Sequence, residues 1–408
     1  MNCRHCTSEL GLKLIDLGSA PPSNAYLSAV KLQHSEKWYP LNVMVCERCW
    51  LVQTQDFARA DELFDAEYAY FSGFSNSWLA HVERCVGEMV ARFQLSSQSQ
   101  VVEVASNDGY LLQYVQARKI PCFGIEPTAS TAAAARAKGI ETIQAFFGVR
   151  LAQRLASEGK QADLAVANNV LAHVPDINDF VAGFAVLLKP AGVVTFEFPH
   201  LLRLIEENQF DTIYHEHFSY LSLTAIQGIF SGNGLTIFHV EEHATHGGSL
   251  RVIAQRCDTG TRPADSSVET LLSREESVGM RNRTYYTGFQ SRAENIKNEF
   301  VGFLIEAKRT GKTIAAYGAA AKGNTLMNFA GVRPDLISYV VDRNPAKQGK
   351  FMPGSRIPIV SEPHMYQSKP DYVVILPWNI KSEVMEQLSG IRSWGAQFVT
   401  AVPNLEVR

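Results

Sequence analysis

The stretch Val101-Val-Glu-Val-Ala-Ser-Asn-Asp-Gly-Tyr-Leu-Leu112 restricts the architecture more than any other. Branched apolar residues at 101–104 predict a buried strand, and the polar turn after them leads into a helix-like segment. A second short apolar run, Cys122 to Ile125, closes on Glu126 and Pro127. Together they predict a βαβ unit whose strand ends face one crevice. A small molecule carrying a ribose fits such a crevice. Backbone groups near Gly109 would meet its charged or polar end, and Glu126 the two ribose hydroxyls.

The alternation continues to about Pro199. A helix is expected over Ser130 to Lys138 with Gly139 as its stop, then a short strand to Phe146 and a buried strand from Asp163 to Asn169. Phe180 to Leu188 reads as a helix, Lys189 to Gly192 as a turn and Val193 to Phe198 as a strand. Five parallel strands with helices on both faces follow from that order. Further on, Leu221 to Ser231 reads as a helix, Leu235 to Val240 and Leu250 to Gln255 as strands, and Val268 to Lys308 as one or two helices. The pattern then restarts. Thr313 to Gly318 is a strand, Ala319 to Thr325 a loop opening a helix, Leu336 to Val341 a strand ending at Asp342, and Asp371 to Leu376 and Gln397 to Ala401 are later strands. A second Rossmann-like domain is therefore expected.

With 408 residues the chain should divide into two or three domains. The expected limits are 1–60, 61–300 and 301–408. Lys plus Arg total 38 against 41 acidic residues, a balance that argues against a general nucleic-acid binder. The apolar segment Phe180 to Phe198 is broken by Lys189, Pro190, Gly192 and Glu197, so no membrane span is expected. The N-terminus has no apolar secretory core, and a cytoplasmic location is the simplest expectation.

Four of the seven cysteines form Cys3-Arg-His-Cys6 and Cys46-Glu-Arg-Cys49. Two such knuckles supply a tetrahedral thiolate set for a structural Zn²⁺ with no open position. The segment between them lacks a long apolar run, so the metal would supply folding energy. Cys85, Cys122 and Cys257 read as buried small apolar residues.

The run Asp211-Thr-Ile-Tyr-His-Glu-His-Phe-Ser-Tyr220 is rich in ionisable and aromatic groups and costly to bury without a purpose. Histidine titrates near neutrality and suits a general base. The run lacks the His-Glu-x-x-His helical spacing of a metal site. Neither glycine loop is Gly-x-Gly-x-x-Gly or Gly-x-x-x-x-Gly-Lys-Ser/Thr, which weakens dinucleotide and P-loop readings. Lys322-Gly-Asn324-Thr at a helix start, with Arg343, Lys347 and Lys350 after the next strand, offers charge and backbone donors to a diphosphate.

These segments together resemble the sugar C-methyltransferase family, whose members place a branching methyl on C3 of nucleotide-linked 4-keto-deoxysugars. The resemblance covers the whole chain: the paired cysteines, Tyr68-Ala-Tyr-Phe-Ser-Gly, Glu103 to Gly109, Ala167-Asn-Asn-Val-Leu-Ala-His173, Tyr214 to Tyr220, His246-Gly-Gly-Ser-Leu-Arg251 and Tyr317 to Thr325. It implies an S-adenosylmethionine-dependent methyltransferase domain between a zinc-binding domain and a C-terminal nucleotide-sugar-binding domain. Glu103, Asn107 and Gly109 would surround the methionine part, Glu126 the ribose, and Phe146, Asn168 and Asn169 the adenosine. Ala105 departs from the family's usual glycine. His217 would be the base, with Glu216 or a tyrosine positioning it or the sugar, and Tyr214, Tyr68 and His173 around the keto and hydroxyl oxygens. Tyr70, Ser249, Arg251, Lys322, Asn324, Arg343 and Lys347 would meet the substrate; Tyr68 and Tyr70 could equally pack a domain junction. A monomer or weak oligomer is expected. The rivals are a non-catalytic nucleotide-sugar-binding or assembly protein, an NAD-linked oxidoreductase, and a methyltransferase acting on another small ketone or hydroxyl.

Overall fold

The structure, a computed structural model, describes residues 1–57 and 71–408, so Tyr68 and Tyr70 lie outside the described residues. The described residues build three sheets. In the first, β1 (Leu12–Ala20), β2 (Tyr39–Val45) and β3 (Val52–Thr54) run antiparallel. Their apolar side chains alternate inward, and Leu12, Leu14, Val43 and Val45 are buried. This small sheet has no closed core of its own. Its inner residues join one apolar cluster with Phe289 and Phe300 of a later helix and with Leu326 and Met327 of the C-terminal region.

The second sheet holds β4 (Val101–Val104), β5 (Cys122–Ile125), β6 (Thr142–Ile143), β7 (Ala162–Asn168) and β8 (Leu188–Pro199), all parallel, in the order β6-β5-β4-β7-β8. All four residues of β4 are buried, as a strand covered on both faces requires. The five expected parallel strands are present. The two-residue β9 (Ser219–Tyr220) leaves this sheet and pairs with β3 of the first. The hairpin of β10 (Leu235–His243) and β11 (Ser249–Arg256) then extends the second sheet antiparallel beyond β8.

Some local expectations need correction. The strand expected to reach Phe146 stops at Ile143, which leaves Phe146 in the following loop with 59% of its surface exposed. Cys257 is exposed and Cys122 only partly buried, because both lie at strand ends. The region 268–308 forms three helices, Ser266–Ser277, Arg283–Tyr286 and Phe289–Arg309. Gly279 and Gly288, at φ 92° and 83°, break it where a helix cannot continue.

The third sheet contains β12 (Ile314–Tyr317), β13 (Val340–Val341), β14 (Ile359–Val360), β15 (Tyr372–Ile375), β16 (Gln397–Thr400) and β17 (Glu406–Val407), in the order β14-β13-β12-β15-β16-β17. Its first five strands are parallel, which makes it a second doubly wound unit. β13 is shorter than the expected 336–341 because the Leu336 and Ile337 N–H groups donate to the Arg333 carbonyl in a turn. Among the described residues no helix is long and apolar enough to cross a membrane.

Candidate active site

The first crevice opens where β4 and β7 diverge. After Val104 the chain turns through Ala105, Asn107 and Gly109 at φ 58°, 49° and 75°. Three left-handed residues in five curl the loop so tightly that the Gly109 N–H donates back to the Ser106 carbonyl at 2.9 Å. Glu126, 5% exposed, fixes it: one carboxylate oxygen accepts from the Asn107 N–H and the other from the Thr128 N–H, each at 2.9 Å. The 71–75 segment closes over the loop, with the Ser72 N–H donating to Asn107 Oδ1 at 2.9 Å. A Cβ on Gly73 would meet Asp108 Oδ2 at 2.4 Å, so only glycine allows this approach.

Buried polar atoms with no well-formed hydrogen bond among the described residues collect here, beside the buried Tyr110 hydroxyl: both oxygens of Glu103, both side-chain polar atoms of Asn168 and Oδ1 of Asn169. Burial pushes the Glu103 carboxyl well above its ordinary range. Such donors and acceptors at the carboxyl ends of β4 and β7 are what a polar ligand would satisfy. Glu103, Asn107, Gly109, Glu126, Asn168 and Asn169 are thus brought together, with Phe146 exposed nearby in sequence at the end of β6. S-adenosylmethionine carries an amino acid, a ribose and an adenine, and this donor set fits it.

The polar run 211–220 lies across the mouth. His217, 8% exposed, directs Nδ1 at the Thr212 carbonyl, 3.0 Å away. A carbonyl only accepts, so Nδ1 carries the proton and Nε2 keeps a lone pair. The rings of Tyr214 and His173 pack on His217 at 4.0 and 4.6 Å between centroids. Burial holds the His217 imidazole well below its ordinary pKa, assisted by repulsion from His173. His173 is likewise held down to about 4 by burial. Both rings are therefore neutral near pH 7.

Glu216 does not touch His217. Its Oε1 accepts from the N–H and side-chain amide of Asn24 at 3.3 and 3.2 Å, and burial raises its pKa. His215 turns to the first sheet, with Nε2 3.2 Å from the Tyr39 carbonyl. The groups that orient His217 and Glu216, Thr212 and Asn24, were not marked in the sequence. Thr212 stands inside the polar run but acts through its backbone carbonyl, which no side-chain pattern shows, and Asn24 is far away in the chain.

Lys322 reaches this mouth from the C-terminal unit. Its ammonium donates to the His246 carbonyl at 3.3 Å and to Asn379 Oδ1 at 2.9 Å, and lies 4.7 Å over the Trp378 ring. Trp378 Nε1 donates to Asp211 at 2.7 Å. Burial lowers Lys322 to about 8 against the attraction of Asp211, and raises Asp211 to about 6. His246, at φ 56°, accepts from the Asn169 amide at 3.3 Å and tilts against Trp78 at 4.9 Å. An open cleft of about 530 Å³ continues along Ser77, Gly247, Trp378, Asn379 and Lys381.

The other residues expected to meet substrate have separate partners. Arg251, 1% exposed, belongs to β11 rather than to a loop and donates to Glu197 at 2.8 Å and Glu241 at 3.0 Å. The buried Glu197 and the partly exposed Glu241 neutralise it in place. Burial would push Glu197 up, yet the His81 hydrogen bond and the Arg251 charge hold it down at about 2. Ser249, also in β11, donates to the Thr245 carbonyl at 3.0 Å. Lys347 donates to the Ala319 carbonyl at 2.8 Å and lies 5.1 Å over the Tyr26 ring. Arg343 is exposed and donates to Gln387 at 3.2 Å, and Asn324 is buried beside Asn328.

Cys3, Cys6, Cys46 and Cys49 bring their sulfurs within 4.8 Å of one another, with Cys3–Cys49 and Cys6–Cys46 both at 3.5 Å. Four zinc–sulfur bonds of about 2.3 Å need sulfurs roughly 3.8 Å apart in a tetrahedron. The cluster fits a structural zinc ion.

Comparison with known proteins agrees with this geometry along the whole chain. Residues 3–64 match the family model described as "Putative zinc binding domain", 78–240 that described as "Methyltransferase domain", and 244–403 that described as "C-methyltransferase C-terminal domain". The C-methyltransferase NovU of Streptomyces niveus is 33% identical over 407 residues, covering 99% of this chain and 96% of NovU. Among solved structures, a SAM-dependent methyltransferase from Anabaena variabilis aligns with 49% of this chain and 96% of its own at 15% identity, TM-score 0.40. The PH0226 protein from Pyrococcus horikoshii aligns with 49% of this chain and all of its own at 14% identity, TM-score 0.39. With its cysteine cluster, ligand-ready first crevice and end-to-end likeness to NovU, the chain belongs to the S-adenosylmethionine-dependent C-methyltransferases that carry an N-terminal zinc-binding domain.

Proposed function

We propose that the enzyme methylates C3 of a nucleotide-linked 4-keto-deoxysugar, with His217 as the base. The observation that carries this reading is the pinned imidazole: Nδ1–H donates to the Thr212 carbonyl, so the lone pair on Nε2 is free for a proton. A carbon beside a ketone is a weak acid, and transfer of its proton to Nε2 leaves an enolate that needs donors at the oxygen. Tyr214 and neutral His173, packed on His217, supply hydroxyl and imidazole groups where that oxygen would lie. Lys322, whose charge bears on His217, contributes positive charge to the same mouth. Bound S-adenosylmethionine supplies an electrophilic sulfonium methyl. Glu103, Asn107 and Glu126 hold the cofactor end of the crevice, and the 71–75 segment limits water.

The cleft along Trp378, Asn379 and Lys381 has the size of a nucleotide site and starts beside Lys322. It supports a substrate with a nucleotide handle, and dTDP is the first handle to test. Purified enzyme with S-adenosylmethionine and a panel of dTDP- and GDP-linked 4-keto-deoxyhexoses should gain one methyl on the sugar carbon. His217→Asn should leave cofactor affinity unchanged and lower turnover by about a thousandfold. It should also stop solvent deuterium entering C3. Turnover within a few-fold of wild type would remove His217 from the role.

A further inference from the structure

We propose that Arg4, set between two zinc ligands, is a positioning residue for the catalytic histidines. Its side chain is 5% exposed and leaves the cysteine cluster for the catalytic segment. One Nη donates to the Pro175 carbonyl at 3.1 Å, and the other to the Thr54 carbonyl at 3.1 Å and to Asp56 at 2.8 Å. The guanidinium lies 5.4 Å over the Phe218 ring. The Arg4 N–H donates to the Gln53 side chain at 3.0 Å.

Pro175, Phe218 and Thr54 each lie beside one of the two histidines. Pro175 follows His173 by two residues, and Phe218 follows His217 directly. The Phe218 N–H donates to the Ala172 carbonyl at 2.7 Å, and the Thr54 hydroxyl donates to the His217 carbonyl at 3.3 Å. β3 and β9 complete the join through the Val52–Tyr220 and Gln53–Ser219 pairs. A planar guanidinium holds its donors in a fixed fork, so it binds two carbonyls and covers a ring with less freedom than a flexible ammonium. The zinc knuckle thus anchors one end of Arg4, and the spacing of the His173 and His217 rings depends on the other. A misplacement of about 1 Å in such a pair can cost a hundredfold in rate.

This inference rests on His217 being the base. Arg4→Met should keep one zinc per chain and a cofactor Kd within about twofold of wild type. It should lower kcat at least tenfold at nearly constant KM for the nucleotide sugar. The His217 ring ¹H–¹⁵N signals, identified by their loss in His217→Asn, should move or broaden. Arg4→Lys should show the same split in smaller measure, and it decides the matter if Arg4→Met loses its metal. Wild-type kcat and wild-type His217 signals in zinc-loaded Arg4→Met would overturn the proposal. So would a lowered kcat without any change in those signals. The ring signals need no substrate. If wild-type enzyme methylates no sugar nucleotide while Arg4→Met still moves the His217 ring, the substrate reading falls and the role of Arg4 stands.

Discussion

The two doubly wound units share one turn design and put it to opposite ends. In the first, Glu126 at the end of β5 accepts from the Asn107 N–H of the loop after β4 and from the Thr128 N–H two residues on. In the second, Asp342 after β13 accepts from the Ala319 N–H of the loop after β12 and from the Asn344 N–H two residues on. The first crevice keeps buried polar atoms of Glu103 and Asn168 that form no well-made hydrogen bond among the described residues. The second is filled. Pro377 follows β15 and stands where a Cβ on Gly318 would be 2.5 Å from its Cδ, and Tyr26 donates to the Ala319 carbonyl at 2.6 Å. A ring and a phenol occupy the approach that a dinucleotide pyrophosphate would need. The repeated fold is a scaffold in both places, and only the side chains after the strands make one of them a cofactor site.

Exchanging the paired acids tests this contrast most strongly. Glu126→Gln should raise the cofactor Kd about a hundredfold, since two charge-assisted hydrogen bonds of about 1.5 kcal/mol are weakened. Asp342→Asn should leave it within about twofold. Calorimetric titration of both variants reads the difference, and equal losses would erase the distinction between the crevices.

The rim that the second unit lends to the first gives a smaller effect. Lys322, lowered to about 8 by burial, loses its proton above that pH, so kcat/KM should fall about tenfold per unit beyond it. His217 is depressed by burial and stays neutral until well below its ordinary value, so the acid limb should lie under about pH 6.5. Lys322→Met should lose the alkaline limb and keep the acid one. An unchanged limb near pH 8 would assign it to another group.

The smallest effect concerns the first residue past each opening strand, Ala105 at φ 58° and Gly318 at φ 87°. Ala105→Gly relieves a left-handed alanine but gives the unfolded chain more freedom, a net gain under about 1 kcal/mol. Thermal unfolding should shift up by about 1 °C with the cofactor Kd unchanged. A fall in melting temperature would show that the alanine methyl packs usefully against the loop.

Much of this was legible in the residues. The buried run 101–104, the glutamate closing β5 and the return of the same pattern at 313–342 announced two α/β units, because period and turn chemistry are local properties. The two Cys-x-x-Cys pairs announced the metal cluster for the same reason. The family resemblance let Glu103, Asn107, Glu126 and Asn168 be named together as expected cofactor contacts, and the strand ends that carry them adjoin in such a sheet. The pairing of Arg251 was not legible, because Glu197 and Glu241 reach it from the neighbouring strands β8 and β10.

The sequence by itself determined the elements, the thiolate set and the chemistry of the imidazole-rich run, all encoded by neighbours along the chain. Only the tertiary structure decided that β9 leaves the central sheet for β3, that Thr212 rather than Glu216 fixes the His217 ring, and that Pro377 and Tyr26 fill the second crevice. Contacts between residues such as Asn24 and Glu216, or Arg4 and Pro175, depend on how three sheets pack, and no local periodicity records that.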